Sequence, residues 1–138
     1  MARQRLTLDT SVAVAGLVAR HPHHDRCRPR VRAAGPLGAH AHLETVRVLT
    51  SLPGGLSLPM RQAVDLVAAA FGSRPHAMPS SGFERLLLRL HEQSIGGGAV
   101  YDALVGAEAR HAGLILVSAD RRAARTYTAV GVEVEWVD

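Results

Sequence analysis

Four acidic residues stand in short stretches whose types and spacing could do chemistry together. Asp9 lies in "LTLDTS", Glu44 in "HLETVRVL", Asp102 in "GGGAVYDAL" and Asp120 in "LILVSADRRA". Asp9 and Asp120 each follow a predicted strand and begin a helix, so parallel strands would bring both to one edge of a sheet. Asp102 begins a helix after three glycines and is expected near the same rim. Each acid alone also has a structural interpretation, as a helix-start residue or, for Glu44, as a surface acid.

Carboxylates that converge repel one another and raise one another's pKa. The chain contains no lysine that could neutralise them, and a divalent cation would remove the repulsion. Oxygen-only ligands suit Mg²⁺ or Mn²⁺. The hydroxyl residues Thr10, Ser11 and Ser118 flank these acids. We expect them to orient ligands or waters, with helix capping as the alternative for Thr10 and Ser11.

Charge favours an anionic partner such as nucleic acid or an acidic protein segment. The net charge is +4, and setting the four acids aside leaves eight acids against 16 arginines, a balance of +8. A basic surface around an acidic pocket suits a polyanion. Arg121, Arg122 and Arg125 follow Asp120 and could contact phosphates or an inhibitory partner, or could form a solvated helix face.

Length and composition predict one domain over residues 1–138 with a sizeable core. Cys27 is the only cysteine, which excludes an intramolecular disulfide and favours a cytoplasmic location. No apolar run reaches the roughly 18 to 20 residues that span a bilayer, so no membrane partner is expected. "VAVAGLVA" is interpreted as mature structure and not as a signal peptide, because Asp9 interrupts the apolar stretch.

The elements that must position the acids alternate between strand and helix. Strands are predicted in "RLTLD", "GLILVS" and "VEVEWV", with brief ones in "PLGAH" and "SRPHAMPSS". Helices are predicted over residues 10–19, 41–52, 59–71, 99–112 and 120–131, around Phe83–Leu90, and as a short helix disturbed by Pro29. This alternation favours a three-layer α/β/α domain with a mostly parallel central sheet.

Apolar spacing also predicts which helix positions face the core. The expected sets are Leu43, Val46, Leu49 and Leu52; Met60, Ala63, Val64, Val67 and Phe71; and Phe83, Leu86, Leu87 and Leu90. The last set could instead form part of a dimer surface.

In this order, the four acidic motifs resemble those of the PIN-domain ribonucleases, specifically the VapC-type toxins of bacterial toxin–antitoxin modules. "LTLDTS" resembles the family's opening strand with its first catalytic Asp, and "HLETVRVL" resembles the helix that supplies the Glu. "GGGAVYDALVGAEA" is similar to the Gly-rich entry to the third acid, and "LVSADRRAARTYTAVGVEV" to the ending that carries the fourth. The resemblance covers nearly the whole chain. Some members carry a further acid where this chain has Arg122, so we expect a four-carboxylate site.

The resemblance implies a PIN-like sheet of about five strands and a Mg²⁺- or Mn²⁺-dependent endoribonuclease. Asp9, Glu44, Asp102 and Asp120 would be the metal ligands, direct or through water. RNA would be cut by an activated water, leaving a 5′-phosphate and a 3′-hydroxyl. Family membership further implies a homodimer and a cognate VapB-like antitoxin that masks the site. The alternative is a catalytically inactive PIN fold that binds RNA or protein.

Three other interpretations are weaker. "HPHHD" offers His21, His23, His24 and Asp25 to zinc, with His40 and His42 as a distant pair. A phospho-acceptor receiver domain would need a late lysine and an acidic doublet, and this chain has neither. A haloacid-dehalogenase-like phosphatase would need an Asp where Ser11 stands.

Overall fold

A parallel sheet of three strands forms the centre of the fold in the computed structural model, which describes residues 5–138. The strands are β1 (Leu6–Leu8), β2 (Ile115–Ser118) and β3 (Val134–Trp136), in the spatial order β1-β2-β3. Leu8 lies opposite Val117, and Ser118 lies opposite Trp136. The middle strand is the most apolar, and its Leu116 and Val117 are fully buried, as expected for a parallel strand covered on both faces.

Seven helices surround this sheet in the described part of the chain. They are α1 (Thr10–Leu17), α2 (His24–Ala33), α3 (Ala39–Leu49), α4 (Met60–Phe71), α5 (Ser80–Glu92), α6 (Ala99–His111) and α7 (Ala124–Val130). A 3₁₀ turn, Arg121–Ala123, leads into α7, and Gly131 ends that helix in the left-handed conformation at φ 74°. The predicted α/β class is therefore confirmed.

The prediction of about five strands is wrong for residues 5–138. "PLGAH" and "SRPHAMPSS" meet only in an isolated parallel bridge between Gly38 and His76. The Ala39 N–H donates to the His76 carbonyl at 2.8 Å, and the His76 N–H donates to the Leu37 carbonyl at 3.0 Å. Pro36 and Pro75 stand next to these bonds and have no N–H to donate, so the ladder does not extend.

Part of each predicted apolar helix face is exposed. Leu43 is 69% exposed, and Met60, Val64, Phe83 and Leu87 are also exposed, against the expectation that they face the core. The positions that are buried are Val46, Leu49, Ala63, Val67, Phe71, Leu86 and Leu90. Helices α3, α4 and α5 thus contact the core along a stripe narrower than their apolar faces. The apolar side chains outside this stripe are exposed on the surface of the fold.

Helix α2 lies where a short helix disturbed by Pro29 was predicted. It runs without interruption from His24 to Ala33 with Pro29 inside it, and its Cys27 is buried. Helix α1 packs closely against it at Gly16. A Cβ on Gly16 would overlap Val31 Cγ2 and would lie 3.0 Å from the Cys27 carbonyl oxygen.

No helix within residues 5–138 has the length and apolar character needed to cross a membrane.

Gly16→Ala is expected to lower the free energy of unfolding by about 1 to 3 kcal/mol. The added methyl overpacks the contact between α1 and α2, where one neighbour is backbone that cannot rotate away. Urea unfolding followed by circular dichroism would measure the loss. Gly96→Ala is the matched control, because a Cβ there meets no atom within 4 Å. Equal stability of the two variants would contradict the close packing of α1 on α2.

Candidate active site

Asp9 and Asp120 lie at the carboxyl edge of two neighbouring strands. Asp9 directly follows β1, and Asp120 comes two residues after the end of β2. The two strands pair in parallel, and the Asp9 N–H donates to the Val117 carbonyl at 3.0 Å. The expectation that both acids share one edge of the sheet is therefore confirmed.

Asp9 is almost completely buried and is held by several donors. Its Oδ1 accepts from the Ser11 hydroxyl and, at 3.3 Å, from the Val12 N–H, so Asp9 caps α1 in place of Thr10 or Ser11. Its Oδ2 accepts from the Tyr127 hydroxyl at 2.9 Å. Burial raises the pKa of Asp9, while hydrogen bonds, including one with Ser118, act in the opposite direction.

Two serine hydroxyls connect the strand ends that carry these acids. Ser11 donates to Asp9 and accepts from the Ala119 N–H at 3.2 Å, which joins the start of α1 to the end of β2. Ser118 accepts from the Asp120 N–H at 3.1 Å. By contrast, the buried Thr10 Oγ1 has no hydrogen-bond partner among residues 5–138.

Asp120 caps the 3₁₀ turn and also pairs with an arginine. Its Oδ1 accepts from the Arg122 N–H at 3.1 Å and from Arg122 Nε at 3.2 Å. The Arg122 side chain is 93% exposed, so water screens this pair strongly. Asp120 therefore has a structural role, and its carboxylate keeps an oxygen that does not take part in the cap.

Asp102 lies in the first turn of α6, within range of the other three acids. Burial raises its pKa, and the charges of Asp120, Asp9 and Glu44 raise it further, in that order. Arg122 partly offsets this effect. The other three predicted acids therefore all act on the Asp102 carboxyl group.

Glu44 is the outermost of the four acids and stands on α3. Its Oε2 lies 3.8 Å from His40 Nε2, one helical turn earlier. The His40 ring in turn stacks on Tyr101 with 5.2 Å between ring centres. Because Tyr101 precedes Asp102 on α6, this stack joins the helices that carry Glu44 and Asp102.

The donor chemistry of this cluster fits a hydrated divalent cation. Within residues 5–138, no three His, Cys, Asp or Glu side chains converge closely enough to hold a metal ion directly. The carboxylates nevertheless raise the pKa of Asp102 together, and a cation would remove that repulsion. Mg²⁺ keeps several waters and takes only one or two carboxylates directly, so acids that stand somewhat apart suit it.

The zinc interpretation of "HPHHD" finds no ligand set in the described chain. His24 Nδ1 lies 2.9 Å from the Ala15 carbonyl, where it donates and fastens the start of α2 to α1. His21 Nδ1 accepts from the His23 N–H at 3.0 Å. His24 therefore stabilises the packing of α2 on α1. The rings of His21 and His23 lie near one another.

The three arginines after Asp120 differ in their surroundings. Arg121 donates to Asp138 Oδ1 at 2.7 Å and lies over the Trp136 ring at 4.5 Å, so it is bound within the chain. Arg122 pairs with Asp120. Arg125 is exposed and lines a cleft of about 610 Å³ together with Ser94. Of the three, Arg125 is the one without a salt bridge to an acid within residues 5–138.

Two residues that position the acids were missed by the sequence analysis. Tyr127 is buried and donates to Asp9, and burial together with the Asp9 charge raises its pKa far above the usual value. Glu108 is 4% exposed, and its Oε1 accepts from the His40 N–H at 3.1 Å. This bond caps α3, whose own N-cap residue, Gly38, has no side chain to do so.

In the sequence, only their residue types distinguish Tyr127 and Glu108 from their neighbours. Tyr127 is one of two tyrosines, and Glu108 is an acid inside an otherwise apolar stretch of α6. Neither signal identifies the partner, because Asp9 lies 118 residues from Tyr127 and His40 lies 68 residues from Glu108.

Glu108→Ala is expected to lower the free energy of unfolding by about 1 to 3 kcal/mol, because it leaves the partly buried His40 N–H at the start of α3 without an acceptor. Glu108→Gln keeps an oxygen acceptor and should lose less. Thermal melts of both variants would measure this difference. Equal melting temperatures for wild type and Glu108→Ala would contradict the cap.

The pH dependence gives a separate expectation for Glu108. Burial raises its pKa in the folded state above the ordinary value of 4.5. Its protonated form is thus favoured by folding, and wild type should lose stability as the pH rises from about that value through the raised pKa. Glu108→Gln has no charge to bury, so its stability relative to wild type should be greater at pH 8 than at pH 4.5. A stability difference between Glu108→Gln and wild type that stays the same at every pH would contradict the raised pKa of Glu108.

Comparisons with known proteins agree with this geometry. The family model for the PIN domain matches residues 6–129. Ribonuclease VapC40 of Mycobacterium tuberculosis (strain H37Rv) is 38% identical over 129 residues, which cover 94% of this chain and 96% of that protein. Ribonuclease VapC27 of the same strain is 38% identical over 130 residues, which cover 94% of each.

Solved structures show the same fold at low sequence identity. The crystal structure of FitAcB from Neisseria gonorrhoeae aligns with a TM-score of 0.62 at 16% identity, and covers 94% of this chain and 95% of that chain. The structure of FitAB bound to the IR36 DNA fragment aligns with the same TM-score at 18% identity, and covers 95% and 94%. Together with the family match and the two relatives, these findings show that the chain belongs to the PIN-domain family and, within it, to the VapC type.

Proposed function

We propose that this protein is a Mg²⁺- or Mn²⁺-dependent endoribonuclease and the toxin of a toxin–antitoxin module. The observation that carries the proposal is the position of Asp102, whose pKa is raised by burial and further by the charges of Asp120, Asp9 and Glu44. Such repulsion works against folding unless a cation offsets it. The relatives that share 38% of their residues with this chain are named ribonucleases.

The four acids would hold the cation, directly or through water, and the bound cation would activate a water and offset negative charge on the phosphate. The chain's own residues prepare this site. Ser11, Val12 and Tyr127 fix the Asp9 carboxylate in one orientation. The Tyr127 hydroxyl stays protonated because its pKa is raised, so it remains a donor to Asp9 at any working pH.

The acids sit within a basic protein, and this supports RNA as the substrate. The net charge of the whole chain is +4 although the four acids are included in that sum. A polyanion is attracted to such a surface and reaches the acids only when a cation screens them. Exposed Arg125 stands on α7, just beyond Asp120, where a substrate phosphate could contact it.

A VapB-like antitoxin and a second copy of the chain are the proposed protein partners. Large apolar side chains are exposed on four consecutive helices, α3 to α6: Leu43, Met60, Val64, Phe83, Leu87, Leu88 and Tyr101. Apolar surface of this kind commonly marks protein interfaces. We propose that α5 contributes to the homodimer, and that the antitoxin masks the acids.

Asp102→Asn is expected to reduce RNA cleavage by at least about a hundredfold, since loss of an outer metal contact alone costs tenfold to a hundredfold. The change keeps the size of the side chain and removes its charge. Purified protein would be incubated with a mixed pool of folded RNA and Mg²⁺, Mn²⁺ or EDTA. Asp65→Asn on α4 is the matched control, because Asp65 is an exposed acid outside the cluster.

Thermal melts provide a second measurement that does not depend on RNA. Mn²⁺ should raise the melting temperature of wild type and of Asp65→Asn, but not of Asp102→Asn. In EDTA, Asp102→Asn should melt above wild type, because it removes a charge that the other acids repel. An absence of metal-dependent cleavage and of any metal-dependent shift would instead favour the inactive PIN fold that binds RNA or protein.

Replacement of both Phe83 and Leu87 by Ser is expected to shift the protein from dimer to monomer. Both side chains are exposed on α5 and would lose apolar contact area in the proposed dimer. Sedimentation velocity would measure the change, with the same replacement of Met60 and Val64 on α4 as the comparison. A wild-type protein that sediments as a monomer at all concentrations would contradict the dimer.

A further inference from the structure

A second cleft adjoins the acids on the side of α1 and α2. Its volume is about 290 Å³, and Ser11 and Ala119 form part of its wall. Ser11 donates to Asp9 and accepts from the Ala119 N–H, and Ala119 immediately precedes Asp120. The wall of this cleft is therefore continuous with the proposed active site, and a nucleotide whose phosphate lies at the acids would have its neighbour here.

Two histidine rings and three aliphatic side chains give this cleft its chemistry. His21 and His23 line it with 5.7 Å between ring centres and 47° between ring planes. Val14, Ala15 and Val48 supply an apolar surface, and none of the lining residues is acidic. The cleft thus combines flat rings with an apolar surface and lacks the negative charge that would repel RNA.

The hydrogen bond at His21 Nδ1 defines which nitrogen of the ring is a donor. Its Nδ1 accepts from the His23 N–H at 3.0 Å, so this nitrogen is unprotonated and Nε2 carries the hydrogen. Burial, followed by the neighbouring His23 and His24, lowers the pKa of His21. His21 therefore offers a neutral ring with one N–H donor, which suits stacking on a base and a hydrogen bond to its edge.

We propose that this cleft, built by His21, His23 and Val48 beside Ser11, binds an unpaired nucleobase next to the phosphate that is cut. The inference rests on the proposed function and names a base subsite of that same site. Unpaired RNA bases are recognised by stacking on aromatic rings, including histidine, and by contacts to their edges. The cleft's volume of about 290 Å³ is enough to hold a base.

This subsite gives a role to the histidine-rich turn that zinc does not explain. His24 is fixed to the Ala15 carbonyl and holds α2 in place, whereas the rings of His21 and His23 line the cleft. The turn would thereby select which nucleotide lies beside the cut, while the acids act on the phosphate.

Sequencing of cleavage products would test the subsite. Wild type would cut an RNA whose unpaired loop is randomised, and we expect a preferred nucleotide at one position beside the cut. The double variant His21→Ala with His23→Ala should weaken that preference roughly fivefold to a hundredfold, the effect of losing a base stack. On the preferred RNA, KM should rise while kcat changes little. His111→Ala is the control, because His111 is exposed at the opposite end of α6 from Asp102.

Filling the cleft should weaken the nucleotide preference, as loss of the histidine rings does. Val48→Phe adds a ring to the wall of the cleft and should exclude the base, while both histidines remain. Melting temperatures near that of wild type would show that these variants fold. If wild type cuts RNA and both variants keep its nucleotide preference, the subsite is wrong and the proposed nuclease stands.

A binding measurement separates the subsite from the nuclease activity. Short RNAs with 2-aminopurine in an unpaired loop would be titrated with protein in EDTA, so that no cutting occurs. Quenching by wild type that is lost in the histidine double variant supports the base subsite, even if wild type never cuts RNA. Equal quenching by both proteins, or none by wild type, overturns it. Failure of cleavage alone, with or without this quenching, counts against the proposed nuclease.

Discussion

The structure depends on holding negative charges together at one edge of a parallel sheet. The pairing of β1 with β2 places Asp9 and Asp120 at the same edge, and α6 brings Asp102 to it. Burial raises the pKa of Asp9, and burial together with repulsion from the other three acids raises the pKa of Asp102. The rest of the fold must therefore fix these residues more firmly than their charges drive them apart.

Different contacts fix each acid. Asp9 accepts hydrogen bonds from the Ser11 hydroxyl and the Val12 N–H of α1 and from the Tyr127 hydroxyl of α7. Glu44 depends on the position of α3, which Glu108 caps from α6. Gly38 makes that cap possible, because a Cβ there would lie 3.2 Å from Glu108 Oε1 and 3.2 Å from His76 Cε1. The absence of a side chain at Gly38 thus leaves room for the Glu108 carboxylate beside the start of α3.

The parts of this fold that sequence predicted well are those governed by local patterns. The apolar run of β2, the helix boundaries of α4 and α6, and the ends of β1 and β2 follow from neighbouring residues. The four acids could be identified because each follows such a boundary or stands on a regular helix. The resemblance to the PIN family rested on the order of those same local motifs.

The parts that sequence did not predict depend on distant partners. Periodicity predicted that Leu43 and Phe83 face the core, but it could not show that both side chains remain exposed in the folded chain. "PLGAH" has the composition of a strand, yet its pairing with His76 is limited by Pro36 and Pro75. Glu108 and Tyr127 have no local signature, since their role exists only once α6 lies against α3 and α7 lies against β1.

Helix α6 shows how these constraints are coupled. It carries Asp102 at one end and, further along, Glu108, which caps α3. Between them, Gly106 packs so closely on α7 that a Cβ would lie 2.8 Å from Val130 Cγ2 and 3.1 Å from Tyr127 Cδ1. The helix therefore fixes Asp102 directly, Glu44 through α3, and Asp9 through Tyr127. A displacement of α6 would disturb three of the four acids together, so the arrangement of the site is inseparable from the packing of this helix.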